Sequence, residues 1–202
     1  MLAPGRNTAA GARGTLSAVA VHDYHFTTNW QFDASPDEVW AILANAADLP
    51  RWWPAVYLEA TQLEKGAVDG VGQVTSLWTK GFLPYTLRWR FRVSEVERPC
   101  RLVLDAFGDF VGRGRWTLTG TSEGTAVAFD WRIRAEKPLL RALSFLLKPV
   151  FSSNHAWAMA RGQESLRLEL RRRRAATDEE RARVPAPPGP TFPHNLGRRA
   201  LP

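Results

Sequence analysis

Between residues 85 and 135 the chain alternates apolar and charged side chains with a period of two. Leu87, Trp89, Phe91 and Val93 interleave with Arg88, Arg90 and Arg92, and Val127, Phe129, Trp131 and Ile133 interleave with Asp130, Arg132 and Arg134. Period two belongs to an extended strand with one face buried, so both segments predict an aromatic inner face and a solvated, arginine-rich outer one. Turn residues cut the middle of the chain into six such candidates: about Val56 to Leu63, Gly72 to Lys80, Tyr85 to Val96, Arg101 to Phe107, Phe110 to Thr119 and Thr125 to Ala135. Links this short join antiparallel neighbours, because a parallel crossover needs a dozen or more residues. Gly112 and Gly114 are expected to supply a bend or bulge in a strongly curved sheet.

A first strand precedes them, from Tyr24 to Asp33, with Phe26, Thr28, Trp30 and Phe32 on one face. The next residues, Ser35-Pro36-Asp37-Glu38, combine a side-chain cap, a proline at the first helical position and a glutamate at the capping-box position. They predict a helix whose apolar face is Val39, Trp40, Leu43 and Ala47. A further short helical turn ends at Pro54.

The last ordered element predicted is a long helix through residues 152–170, capped at Ser152 or Ser153. Helical spacing lines His155, Met159, Gly162 and Leu166 along one stripe. A glycine inside a helix costs roughly 1 kcal/mol relative to alanine, so Gly162 implies a close neighbour or space for a ligand. The preceding run, Pro138 to Phe151, reads as a separate short helix broken near Pro149. It serves as core, or as a cover for a pocket mouth, or as a point of transient membrane-surface contact aided by the basic tail.

The net charge of +7 suggests a polyanion partner only until it is divided along the chain. Residues 1–22 hold two arginines and no acid, residues 171–202 hold eight arginines against three acids, and 17 of each sign remain between them. The excess sits in the tails, so no nucleic-acid partner is expected. Residues 1–22 are expected to be a flexible segment, 23–174 the folded domain, and 175–202 a disordered basic, proline-rich tail. A single cysteine, Cys100, fits a reducing compartment, and neither a signal peptide nor a membrane span is indicated; a cytoplasmic location is the expectation.

The order of one strand, two small helices, six strands and a long helix resembles the α+β helix-grip fold of the SRPBCC, or Bet v 1 and START-like, superfamily. Val39-Trp40, Arg51-Trp52-Trp53-Pro54, the run from Lys80 to Tyr85, Gly112-Arg113-Gly114-Arg115-Trp116 and the run from Asn154 to Gly162 are similar to its bacterial polyketide cyclase/dehydrase and lipid-transport-like members. The resemblance covers about residues 23 to 170. It implies a curved seven-stranded antiparallel sheet wrapped on the C-terminal helix, with a hollow between them.

Nine Trp and ten Phe supply walls suited to a lipophilic molecule. The ligand-binding candidates are Trp78, Tyr85, Trp89, Phe91, Trp116, Phe129, Trp131, His155, Met159, Gly162 and Leu166. The four histidines, His22, His25, His155 and His194, show no metal-ligand spacing, so neither a metal nor a cofactor is expected. No nucleophile motif is present. A cyclase would need a general acid or base at the pocket; Asn154, Tyr85 and Arg115 are candidate donors, and His155 has the most suitable titration range. The reading is binding, carriage or sequestration of a small hydrophobic ligand such as a lipid or polyketide, with cyclase/dehydrase activity in the same cavity as the alternative. An interaction module of the chaperone-cofactor type is a third.

Overall fold

The alternating segments form seven strands: β1 (Asp23–Phe32), β2 (Tyr57–Glu64), β3 (Val74–Lys80), β4 (Thr86–Glu97), β5 (Arg101–Gly108), β6 (Phe110–Thr121) and β7 (Gly124–Ala135). They pair antiparallel throughout in one sheet of order β1-β7-β6-β5-β4-β3-β2. The protein is seen here as a computed structural model that describes residues 23–136 and 138–192, with the side chains at 135 and 138–148 excepted. The N-terminal segment 1–22 and the last ten residues of the tail lie outside the described residues.

The connection from β1 to β2 crosses the sheet through α1 (Pro36–Leu43), a 3₁₀ turn (Ala46–Asp48) and α2 (Leu49–Trp52). The start of α1 has the expected capping box: Glu38 N donates to Ser35 Oγ at 3.3 Å, and Ser35 N donates to the Glu38 carboxylate at 2.9 Å. Val39, Trp40 and Ile42 are its buried face.

Gly112 and Gly114 of β6 lie in uninterrupted pairing with β5 and β7, so neither marks a bulge. They permit close approach instead. A Cβ at Gly114 would lie 2.7 Å from the Trp131 ring, and one at Gly112 would lie 2.0 Å from the Arg132 carbonyl oxygen. The register shifts fall in β2–β3 and β4–β5.

The largest departure from expectation is α3, a continuous helix from Pro138 to Arg174 with Pro149 inside it. No break occurs there, and Ser152 and Ser153 are interior residues and not caps. Proline removes one N–H and crowds the preceding turn, at about 3 kcal/mol or more. Burial further along, where Met159, Leu166 and Leu170 are each under a tenth exposed, opposes that cost. The C-terminal half is fastened by charge. Glu169, 1% exposed, accepts two hydrogen bonds from Arg51 of α2 at 2.9 and 2.8 Å, one from Arg173 at 2.8 Å and one from Arg172 at 3.2 Å. Arg174 pairs with Glu38 of α1 at 2.7 Å. Three members of the arginine run thus pair with acids.

Composition predicts disorder from residue 175, but as far as Phe192 the chain follows a defined course. Thr177 caps α4 (Asp178–Arg183) by accepting from Glu180 N at 3.1 Å. An extended strap, residues 184–192, then returns to the sheet. Arg172 donates to the Pro185 carbonyl at 3.0 Å, and the Thr191 hydroxyl donates to the carbonyls of Gly81 and Phe82 at 3.2 and 3.3 Å. These are single polar anchors with no apolar period, which a compositional reading does not detect. Among the described residues no helix is long and apolar enough to cross a membrane.

Candidate functional site

Sheet curvature separates the aromatic face of β4–β7 from α3 and leaves a cavity of about 220 Å³. A single buried water needs only ~10–15 Å³, so this is a chamber and not a packing fault. Its floor is a run of rings whose places follow from strand register, with Trp116 opposite Phe129 and Gly114 opposite Trp131 across β6–β7. Trp116 and Phe129 stack with centroids 4.0 Å apart, Phe129 and Trp131 stack at 5.5 Å, and Trp89 lies 5.8 Å from Trp131. The Trp89 indole N–H donates to Thr79 Oγ1 at 3.0 Å, which leaves that part of the floor apolar.

Of the residues singled out from sequence, Tyr85, Trp89, Phe91, Trp116, Phe129, Trp131, His155 and Met159 all line this cavity. Trp78, Gly162 and Leu166 lie off it, for three different reasons. Trp78 alternates to the outer face of β3, where Arg88 lies over its ring at 4.9 Å. Leu166 is fully buried one helical turn beyond Gly162, in the solid part of the core. Gly162 faces no open space, because the Trp53 indole fills the gap: a Cβ there would stand 2.3 Å from Trp53 Cζ2. The expected close neighbour is therefore a ring from the end of α2. Arg115 is exposed on the outer face, since its neighbours Gly114 and Trp116 point inward.

Several wall residues were missed. Leu102 and Leu104 of β5 carry the same alternation as their neighbours but no aromatic signal, Trp53 comes from the α2–β2 connection, which has no period, and Tyr57 is the first residue of β2. Lys80 at the end of β3 borders the cavity too, though the β3–β4 register puts it on the same outer face as Trp78 and Arg88.

His155 enters the wall from α3 with its ring stacked on Phe26 of β1, centroids 4.2 Å apart and planes 18° from parallel. Its Nε2 is buried and meets no hydrogen-bond partner. Burial depresses its pKa from 6.5 to about 4, so the imidazole is neutral at pH 7. Burial also raises two of the three cavity tyrosines: Tyr85 is pushed up to about 12, with Tyr24 adding to the shift, and Tyr57 is raised further. Both remain hydroxyl donors. Asn154 does not face a ligand with a free amide oxygen, because that oxygen accepts from Leu83 N at 3.4 Å and pins the β3–β4 loop to α3.

A curved antiparallel sheet gripping a long helix around an aromatic chamber is the architecture of helix-grip proteins. The chain belongs to the family described as polyketide cyclase / dehydrase and lipid transport, whose pattern matches residues 24–171. No curated protein matches its sequence. Among solved structures it is similar to the Zhui aromatase/cyclase from Streptomyces sp. R1128, with a TM-score of 0.57 and 19% identity over 77% of this chain and 98% of that one. It is also similar to TTHA0849 from Thermus thermophilus, with a TM-score of 0.58 and 15% identity over 76% of this chain and 99% of that one. The di-domain ARO/CYC StfQ of the steffimycin biosynthetic pathway matches with a TM-score of 0.54 and 16% identity over 69% of this chain, which spans 49% of StfQ. These likenesses establish the fold.

Proposed function

We propose that the protein binds a small hydrophobic molecule in the cavity between α3 and the aromatic sheet face, and acts as a carrier or sequestering protein. The supporting observation is the chamber itself: about 220 Å³ floored by Trp89, Trp116, Phe129 and Trp131. Stacked rings present flat apolar faces that favour an elongated or planar lipophilic guest. Native mass spectrometry of freshly purified protein, followed by organic extraction, tests this reading. A released small molecule in stoichiometric amount is the expected result.

A second reading, cyclase or dehydrase chemistry, draws support from the buried, unpartnered Nε2 of His155. Proton transfer is most efficient when the catalytic pKa lies near the working pH, and a value of about 4 is a poor match for a base at pH 7. That mismatch supports carriage over turnover. Incubating the extracted compound with wild type and His155→Ala separates the two readings. Under carriage neither protein forms product, whereas under catalysis product formation falls about 10²-fold or more in the variant.

A further inference from the structure

The concave face of the sheet continues past the last of its rings. Along β4 the inward residues Leu87, Trp89, Phe91 and Val93 line the chamber, a run of roughly 20 Å at about 3.3 Å per residue. After the register shift between Val93 and Glu95, Val96 stands opposite Leu102, and Leu102 pairs across β5–β6 with Trp116 of the floor. Val96 and Leu102 therefore lie on the same inner face, and both pack against the core. There they line a second pocket together with Trp40, Ala41 and Ala44 of the α1 end.

Ala44, Gln73, Val93 and Leu102 line both spaces, so one layer of side chains separates them. Two of the four make a yielding partition. Ala44, the C-cap of α1, offers a single methyl group. Gln73 presents a flexible amide whose Nε2 donates to Thr75 Oγ1 at 3.3 Å, and Thr75 is fully buried opposite Phe91, which places that amide on the inner side. Among the described residues no hydrogen bond joins Ala44 to Gln73 across this neck. At the other end of the chamber the β3–β4 loop is fastened to α3, with Leu83 N donating to Asn154 Oδ1 at 3.4 Å and the Phe82 and Trp157 rings 6.1 Å apart.

Beyond the neck the lining turns polar. Asn45 follows α1, Asp69 belongs to the β2–β3 loop, where its carboxylate accepts from Val71 N at 3.0 Å, and Arg98 belongs to the β4–β5 turn. All three are exposed. One cation and one anion offset each other, so this rim suits a hydrated end group and favours neither sign of charge.

We propose that this pocket is a second mouth of the chamber and takes the polar end of an elongated amphipath whose apolar body lies on the aromatic floor, with Ala44 and Gln73 forming the neck between them. The proposal rests on the cavity-binding reading and names the ligand class. A polar group drawn wholly into the chamber would lose its water without gaining partners, whereas one seated among Asn45, Asp69 and Arg98 keeps its hydration.

The test uses N-phenyl-1-naphthylamine as a compact guest and 4-decanoyloxy-TEMPO, an acyl chain with an uncharged nitroxide head, as an elongated one. In full-length wild type the ester should displace the dye, and its nitroxide should broaden the amide signals of Asn45, Gly70 and Gly72 more than those of Gly81 and Leu83. Ala44→Phe and Gln73→Phe each fill the neck. Either should weaken the ester by about 10-fold or more while leaving the dye within about 3-fold of wild type, and retained dye binding shows that the variant is folded. Broadening centred on Gly81 and Leu83, unchanged ester affinity in a variant that binds the dye, or dye binding that the ester cannot displace would overturn the second mouth and leave the cavity reading intact. Binding of neither probe by wild type would overturn both. If both variants lose the dye as well, the broadening pattern in wild type decides alone.

Discussion

The Trp53 indole occupies the space into which a side chain at position 162 would grow, with its Cζ2 2.3 Å from the place of a Gly162 Cβ. Helix propensity alone favours Gly162→Ala by roughly 1 kcal/mol. Displacing a ring that is 2% exposed is overpacking, at about 1–3 kcal/mol. Gly162→Ala should therefore be neutral to destabilising, and Gly162→Leu should be strongly destabilising, in urea melts followed by circular dichroism. A clear gain in stability from the alanine would mean that Trp53 does not pack there.

The bond from Trp89 Nε1 to Thr79 Oγ1 spans 3.0 Å between two buried residues. Thr79→Val keeps the shape and removes the acceptor, leaving an indole N–H buried without a partner at about 1–3 kcal/mol. Thr79→Ser keeps the acceptor and should cost less. Chemical denaturation of the two variants in parallel makes the comparison.

Acid should weaken the fold in two adjoining stages. The His155 pKa is lowered by burial from 6.5 to about 4, so between those values the unfolded chain binds the extra proton and stability falls as pH drops. Burial alone would raise the Glu169 carboxyl, but hydrogen bonds from Arg51 and Arg173 outweigh it and hold it down to about 2, against an ordinary 4.5. That stabilisation is fully present above 4.5 and is lost as pH falls toward 2. Melting temperatures across this range should show both stages. His155→Gln should flatten the upper one, and Glu169→Gln the lower.

At neutral pH, Glu169→Gln should also cost about 2–3 kcal/mol, less than the ~3–5 of a fully buried pair because Arg51 and Arg173 reach solvent. Urea denaturation at pH 7 measures it, and Arg51→Met should show a smaller loss. A variant as stable as wild type would show that the cluster does not fasten α3 to α2.

Much of the architecture was legible because it depends on local periods. Alternation places β4 and β7 and tells their aromatic faces from their arginine faces, and Ser35-Pro-Asp-Glu marks the start of α1 to the residue. The continuity of α3 through Pro149 was not legible, since proline signals a local cost while the opposing burial lies ten to twenty residues further on. The cavity wall was half legible for a similar reason. Trp89, Trp116, Phe129 and Trp131 follow from strand parity, but whether Gly162 opens a space depends on where α2 delivers Trp53, a tertiary fact with no sequence period. The strap escaped altogether, because its contact with Lys80 joins residues 111 apart through the Thr191 carbonyl, which composition cannot identify.

The central claim, that the chamber takes a lipophilic guest, is tested most directly by energy transfer from its tryptophans to N-phenyl-1-naphthylamine. Trp53, Trp89, Trp116 and Trp131 line the cavity and are the natural donors, while Ala158 of α3 lines it from the opposite side and can be enlarged to fill it. The account predicts saturable one-to-one transfer with wild type, and affinity reduced about 10-fold or more in a folded Ala158→Phe, the loss expected when a guest is crowded out of a preformed pocket. Absence of saturable transfer, or equal affinity in the two folded proteins, would contradict it.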